Sequence, residues 1–545
     1  MTTHANGISF YHPIAFWVGC ALLVGGVLSH GPMLAMGAHT HYHLAGMPMD
    51  ATMLAGMVAI PLGVVLSGYG LMPRLEQMRQ VLQSTRDHVY FHLADSVPLN
   101  REHWTLVIVL IIALAIDVMK PATLGFVMPG MTAEYAISKQ TGGLLALVAL
   151  IGTTIGSVVW GRLGDLFGRR AAILLSALMF MGTAICGAMP SYGWNLAMCF
   201  MMGAAAGGML PIAFTLMAET VPAAHRGWLL VALGGIGTSA GYLLAAGAAT
   251  LLEPTFSWRA LWLLNLPTGA VILLLNRWIP ESPRFLSSVG LENEARAVLA
   301  KFAGVENVAD ERRAIEADPA ADATGDSIGA KYEIIGMRQL LRGRYARVTW
   351  GLALCGVAWG LVNFGFVLWL PVNLVSLGIE ASGTSALLAR SAVLALPGIG
   401  IIVWLYHHWS SIKSLVLFIV LTSFALLAFA VMAIMNLHSA NVTTAAAVAL
   451  LISVSGVIAM LIPYAAEIYP VHLRGTGSGV IAASSKFGGI LGAGLGVLGF
   501  FGHFVASALL IAVPMAVSGI MLWRNGIETR GVRLEDIQAT IARSA

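Results

Sequence analysis

Four ionisable residues of this 545-residue chain, Asp117, Lys120, Arg390 and Lys486, lie inside long apolar runs. A charge in such surroundings costs several kcal/mol unless it is paired, hydrated or neutralised by a proton, so each is a place to look for chemistry. Asp117 and Lys120 stand three apart in Leu114-Ala-Ile-Asp117-Val-Met-Lys120-Pro121. On a helix, residues at that spacing share a face with side chains about 5–6 Å apart, which lets the two pair. At a rise of about 1.5 Å per residue, Asp117 sits roughly 20 Å along the run that begins near Trp104, a little past the middle of a bilayer core. One acid stands against three bases, and a cavity with that imbalance gains from taking in a small anion. A carboxylate moved together with a proton fits this set: Asp117 exchanges the proton, and Lys120, Lys486 and Arg390 meet the negative charge. Trp359, Asn363, Trp369, Tyr242 and Tyr464 are aromatic and amide side chains that could wall a ring or a short chain. The plainer alternative is a silent buried ion pair ahead of Pro121, with Lys486 and Arg390 reaching out to an interface.

A second constellation, His39-Thr-His41-Tyr-His43, alternates, so an extended backbone would present three imidazoles on one side. His30, Met33, Met36, Met47, Met49 and Asp50 lie nearby. Imidazole and thioether suit copper, and imidazole suits zinc, although the spacing fits no established site. No other cofactor is implied. Cys20, Cys186, Cys199 and Cys355 all fall in apolar runs without a CxxC spacing and read as small core residues. There is no G-x-x-x-x-G-K-[ST] phosphate loop, and nothing in the chain reads as an enzyme.

The elements that must position these groups are membrane helices. With 58% hydrophobic and only 10% charged residues, the chain cannot cover a water-facing surface. Runs of about 20 apolar residues cross a bilayer core of roughly 30 Å, and fourteen are expected, giving an all-α polytopic protein in contact with lipid throughout. All but five of the thirty Lys and Arg residues fall on one side. The exceptions are Lys139 and Arg259 on the other side and Lys120, Arg390 and Lys486 within spans. The basic side is cytoplasmic, which puts both termini inside the cell and the protein in the inner membrane. The net charge of +4 therefore reports topology, not nucleic-acid binding.

The expected organisation is a transmembrane hairpin over 1–73, an amphipathic cytoplasmic linker over 74–103 and a six-helix bundle over 104–278. A cytoplasmic linker over 279–347, helical near Glu292–Phe302, leads to a second six-helix bundle over 348–523 and a tail over 524–545. The bundles repeat a phrase. Glu219-Thr-Val-Pro222-Ala-Ala-His-Arg226-Gly227 returns as Glu467-Ile-Tyr-Pro470-Val-His-Leu-Arg474-Gly475, an offset of 248 at each matched residue. Duplicated bundles of this kind build alternating-access carriers.

The loop Gly161-Arg-Leu-Gly-Asp-Leu-Phe-Gly-Arg-Arg170 is a charged knot between two apolar runs, in which Asp165 can face a helix N-terminus while Arg162, Arg169 and Arg170 stay in water. It resembles the G-x-L-x-D-[RK]-x-G-R-[RK] signature of the major facilitator superfamily, departing at Leu166. Pro280-Glu-Ser-Pro-Arg284 and Glu528-Thr-Arg-Gly531 are similar to phrases of its sugar-porter branch. Asp117 with Phe126–Pro129 resembles the first helix of its aromatic-acid and nicotinate proton symporters, except that Lys120 replaces the second acid of their D-x-x-D. The counterpart of the loop signature, Tyr406-His-His-Trp-Ser-Ser-Ile-Lys413, has lost its Asp and most of its Arg.

The resemblance implies two rocking six-helix bundles, here with two additional leading helices, and a carrier that works as a monomer. It also implies a cytoplasmic gate of Gly161, Asp165, Arg169, Arg170, Glu219, Arg226, Glu467 and Arg474. Competing expectations are proton-coupled uptake of a neutral sugar or polyol, efflux of drugs or metabolites, and a metal-responsive sensor reading copper or zinc through the leading hairpin.

Overall fold

The computed structural model describes residues 12–71, 97–289, 291–303, 340, 343–367, 397–435, 440–498, 500, 504–532, 534 and 536–537. Arg390 and Trp369 lie outside these, as do most of the 74–103 linker and most of the 279–347 linker beyond residue 303. The side chain of Tyr242 is likewise outside the description.

Every extended element among the described residues is helical. A leading hairpin consists of α1 (Pro13–Leu28), a short α2 (Gly31–Gly37) and α3 (Ala51–Leu71). Small residues let its two long helices touch: a Cβ on Gly26 would lie 2.7 Å from the Gly56 carbonyl, and one on Gly19 would lie 2.6 Å from that of Gly63. The hairpin packs against α6 of the first bundle, defined next.

The first bundle comprises α4 (Arg101–Glu134), α5 (Lys139–Phe167), α6 (Arg169–Gly182), α7 (Tyr192–Thr220) and α8 (Ala223–Phe256), then α9 (Arg259–Leu263) and α10 (Asn265–Leu275). Arg101–His103, expected in a linker, form the first turn of α4. Asn100 caps that turn by accepting from the backbone N–H groups of Glu102 and His103, both at 3.1 Å. Beyond α10, α11 (Pro283–Ser288) and α12 (Glu292–Ala303) run outside the bundle, and Asn100 donates to the Phe302 carbonyl at 2.5 Å.

The second bundle comprises α13 (Gly343–Gly360) with a π-helical turn over Leu361–Val367, then α14 (Gly398–His408), α15 (Ser411–Ile434), α16 (Ala440–Ile468), α17 (Val471–Val497) and α18 (Phe504–Asn525). Eleven helices among the described residues are long and apolar enough to cross a membrane. Each bundle has its own apolar core, and α5 and α17 form the most extensive contact between them.

Candidate functional site

The central charges come from α4 and α17. Pro121 has no N–H to offer, so the Asp117 carbonyl loses its helical donor while α4 runs on. Lys120 Nζ donates to Asp117 Oδ1 at 3.3 Å, and both side chains are buried, 0% and 5% exposed. The same ammonium lies 3.4 Å from the centre of the Phe180 ring of α6, whose quadrupole attracts it. Lys120 is thus sealed within the first bundle.

Lys486 comes from the second bundle. Its ammonium lies 5.7 Å from the Phe364 ring, and its charge acts on Asp117. Two glycines set this position: a Cβ on Gly360 would meet the Ser485 carbonyl at 2.1 Å, and one on Gly488 would meet that of Val357 at 2.1 Å. With α17 this close to α13, the π-turn carrying Asn363 and Phe364 faces Lys486. Trp359 packs edge-on against Phe364 with ring centres 6.1 Å apart and donates from Nε1 to the Val454 carbonyl at 2.9 Å. Asn363 is half-buried on the same turn. Tyr464, expected as a wall, is fully buried elsewhere. Its hydroxyl donates to the Ile527 carbonyl at 2.7 Å and accepts from the Ile527 N–H at 2.8 Å, which makes it a post for the C-terminal segment.

At one end the bundles are tied by the signature loop and the repeated phrase. Gly168, at φ +104°, allows the sharp turn from α5 to α6. Arg169 does not stay in water as expected. It is 1% exposed and grips Glu219 through Nε at 3.0 Å and Nη2 at 2.9 Å, with Nη2 also 3.3 Å from Asp165. Arg474 of the other bundle reaches the same Glu219 at 2.8 Å. Asp165 accepts from the N–H of Gly475 at 3.0 Å and the N–H and hydroxyl of Thr476, both at 2.6 Å, in the first turns of α17. Gly161 permits this approach, since a Cβ there would stand 2.4 Å from the Gly475 carbonyl.

The two repeats are held differently. Glu467 accepts from Tyr406 at 3.0 Å and Thr529 at 2.5 Å, while Arg226 acts on it electrostatically and donates to the Val532 carbonyl at 3.4 Å. Arg170, expected in the gate cluster, points the other way: it is half-buried and donates to the Asn276 side chain at 2.7 Å and carbonyl at 3.0 Å.

The Major Facilitator Superfamily profile matches residues 106–493. The chain belongs to the major facilitator superfamily. It is similar to the niacin transporter NiaP of Acinetobacter baylyi, 28% identical over 81% of this chain and 98% of that protein. It is also similar to the 4-hydroxybenzoate transporter PcaK of Pseudomonas putida, 26% identical over 78% and 93%. In fold it matches the proton:xylose symporter XylE bound to 6-bromo-6-deoxy-D-glucose, with a TM-score of 0.65 at 16% identity over 80% and 98% of the two chains. This facilitator is a multi-pass membrane transporter and not an enzyme.

At the end of the facilitator opposite its ion-pair cluster, the histidine loop takes a shape unlike the extended one expected. Ala38–Thr40 is a 3-10 turn, and His41 and Tyr42 adopt left-handed backbone, at φ 51° and 63°. Alternation is lost, the exposed His39, His41 and His43 do not converge, and no group of His, Cys, Asp or Glu that could hold a metal occurs among the described residues. His41 and His43 instead edge a cleft of about 420 Å³ with Glu134, Ser257 and Trp258.

Glu134 was not singled out from sequence, yet it organises this end. It accepts from the N–H groups of Leu44 at 2.8 Å and Ala45 at 3.1 Å, from Trp258 Nε1 at 2.9 Å and from Arg259 Nη2 at 2.6 Å. Burial raises its pKa, but these donors outweigh that and leave it below the ordinary glutamate value. The available signal was Arg259, one of two basic residues that the sequence sets apart from the basic side.

Also missed were Phe180 and Phe364, which read as core, and two acids that cap helices in matching positions. Glu281 accepts from the N–H groups of Arg169 and Arg170 at the start of α6, and Glu528 from that of Ser411 at the start of α15. Their identical roles explain why P-E-S-P-R and E-T-R-G end corresponding halves.

Proposed function

We propose that this facilitator carries small organic acids with protons by alternating access, aromatic monocarboxylates such as nicotinate and 4-hydroxybenzoate being the class to test first. One observation carries the reading: a buried carboxylate within a span, Asp117, paired with Lys120 of its own bundle and acted on by the charge of Lys486 from the other. When Asp117 takes a proton, its hold on both ammonium groups weakens, and a substrate carboxylate replaces it at Lys486. Lys120, covered by Phe180, keeps the proton site tuned and does not touch the passenger. Trp359, Phe364 and Asn363 line the approach on the other bundle. The names of the relatives support the aromatic-acid class.

The gate of Asp165, Arg169, Glu219 and Arg474 closes the cytoplasmic end, with Gly161 as its packing point and with Arg226 of the first copy and Glu467 of the second as a further pair. Arg170 anchors α6. Both termini are cytoplasmic, fourteen helices cross the inner membrane, and the monomer is the working unit. Purified protein in liposomes, given an inward proton gradient, accumulates labelled nicotinate or 4-hydroxybenzoate and leaves xylose outside. Gradient-driven xylose entry without acid entry, or acid entry indifferent to the gradient, overturns the proposal.

A further inference from the structure

The tip of the leading hairpin holds a cluster that organic-acid transport leaves unused. Met33 and Met53 are each 2% exposed and pack with Leu44, and Leu34, Met47 and Met49 surround them. The antiparallel register brings His30 to the same level. Gly56 of α3 sits against Gly26 and Ser29, so the next residues toward the tip on one strand of the hairpin, His30 and Met33, come level with Met53 one turn before Gly56 on the other. His30 has helical backbone leading into α2, which places it and Met33, three residues on, on one face.

His30 is 1% exposed. Its Nδ1 bonds the Gly26 carbonyl at 2.9 Å, which fixes the proton on that nitrogen and leaves Nε2 with a bare lone pair. Nε2 is buried and has no hydrogen-bond partner. A buried acceptor left this way is costly, and a native structure that keeps one calls for an explanation. Asp50 accepts from the Met53 N–H at 2.8 Å and is close enough for its charge to act on the imidazole.

An imidazole lone pair level with two thioethers, at a cluster that also holds Leu34 and Leu44, is a donor set for a soft monovalent ion. Calcium and magnesium require oxygen ligands, and structural zinc sites are built from four thiolate, imidazole or carboxylate ligands. We propose that His30 Nε2 and the sulfur atoms of Met33 and Met53 bind Cu(I), with Met47 and Met49 at the mouth of the site and Asp50 balancing the charge. Binding involves no electron transfer, because the ion enters and stays as Cu(I). The exposed His39, His41 and His43 take no part.

The test titrates the purified full-length protein with Cu(I) under reducing conditions against a chromophoric competitor. The expected result is one tightly held ion, with Met33→Leu/Met53→Leu weakening binding by at least the roughly tenfold to hundredfold that loss of a supporting group costs a metal site. Leucine preserves the apolar volume, so this variant keeps its fold. His39→Ala/His41→Ala/His43→Ala should bind as the parent does. X-ray absorption of the loaded parent protein gives a reading that needs no variant, and should show sulfur as well as nitrogen neighbours around copper. No retained Cu(I), a copper shell of nitrogen and oxygen alone, or loss of binding in the triple-histidine variant but not in the double-leucine one would each overturn the proposal.

Discussion

Asp117 and Lys120 stabilise each other only as a pair. Removing one partner of a buried ion pair leaves an uncompensated charge at a cost of about 3–5 kcal/mol, whereas replacing both by residues of similar shape is often neutral. Lys120→Met should therefore lower the thermal stability of the purified protein sharply, and Asp117→Asn/Lys120→Met should restore most of it. A double variant no more stable than the single one would mean that Lys120 is held by Phe180 rather than by the carboxylate.

For transport, Asp117→Asn should abolish accumulation driven by a pH gradient while leaving substrate exchange partly intact. Lys486→Gln should raise KM for an acid more than for its neutral amide, and equal effects on both would assign Lys486 to packing. At the end opposite the ion-pair cluster, burial would raise the pKa of Glu134, but Arg259, the Leu44 amide and Trp258 outweigh it and depress the pKa in the folded protein. Its contribution to stability is therefore complete at neutral pH and fades as pH falls below the ordinary value of 4.5. Glu134→Gln should flatten the acid limb of the thermal-stability profile, and an unchanged limb would assign the acid sensitivity to other carboxylates.

At the scale of elements, the site depends on helices that approach closer than side chains allow. Gly161 and Gly475 form such a contact between bundles, and Gly360 with Gly488 form another between α13 and α17. Gly161→Leu should cost transport out of proportion to folding: normal membrane insertion and an intact thermal transition, with uptake reduced to background. Uptake near the parent level would show that α5 and α17 need not close for turnover. The glycines were visible in the chain, but which carbonyl each one faces was not. The histidine loop shows the opposite difficulty, because alternation in the sequence promised one shared side, and two left-handed residues, followed by a segment that Glu134 pins through the Leu44 and Ala45 amides, removed it.

For the whole molecule, the repeated phrase becomes a cross-linked clamp. Glu219 of one bundle holds Arg474 of the other together with Arg169, beside the bonds that Asp165 accepts from Gly475 and Thr476. The equivalent Glu467 is held by hydroxyl groups from Tyr406 and Thr529. Glu219→Gln should accordingly bias the carrier toward its cytoplasm-open form, with faster labelling of cysteines placed at the gate end, and Glu467→Gln should do so less. Equal labelling in the two variants would show that the repeats share the load.

The sequence by itself determined the class, an all-helical membrane protein of the facilitator fold, because apolar run length and a phrase repeated at constant offset are properties of a one-dimensional chain. It also marked Asp117, Lys120 and Lys486, since a charge in an apolar run stands out without any fold. Tertiary structure alone decided what each charge meets: Lys120 against Phe180, Arg169 buried on Glu219, Tyr464 tied to Ile527, Glu134 gathering a loop ninety residues away. Those choices follow from helix rotation and close approach, which set where a side chain points and which no local pattern of residues encodes.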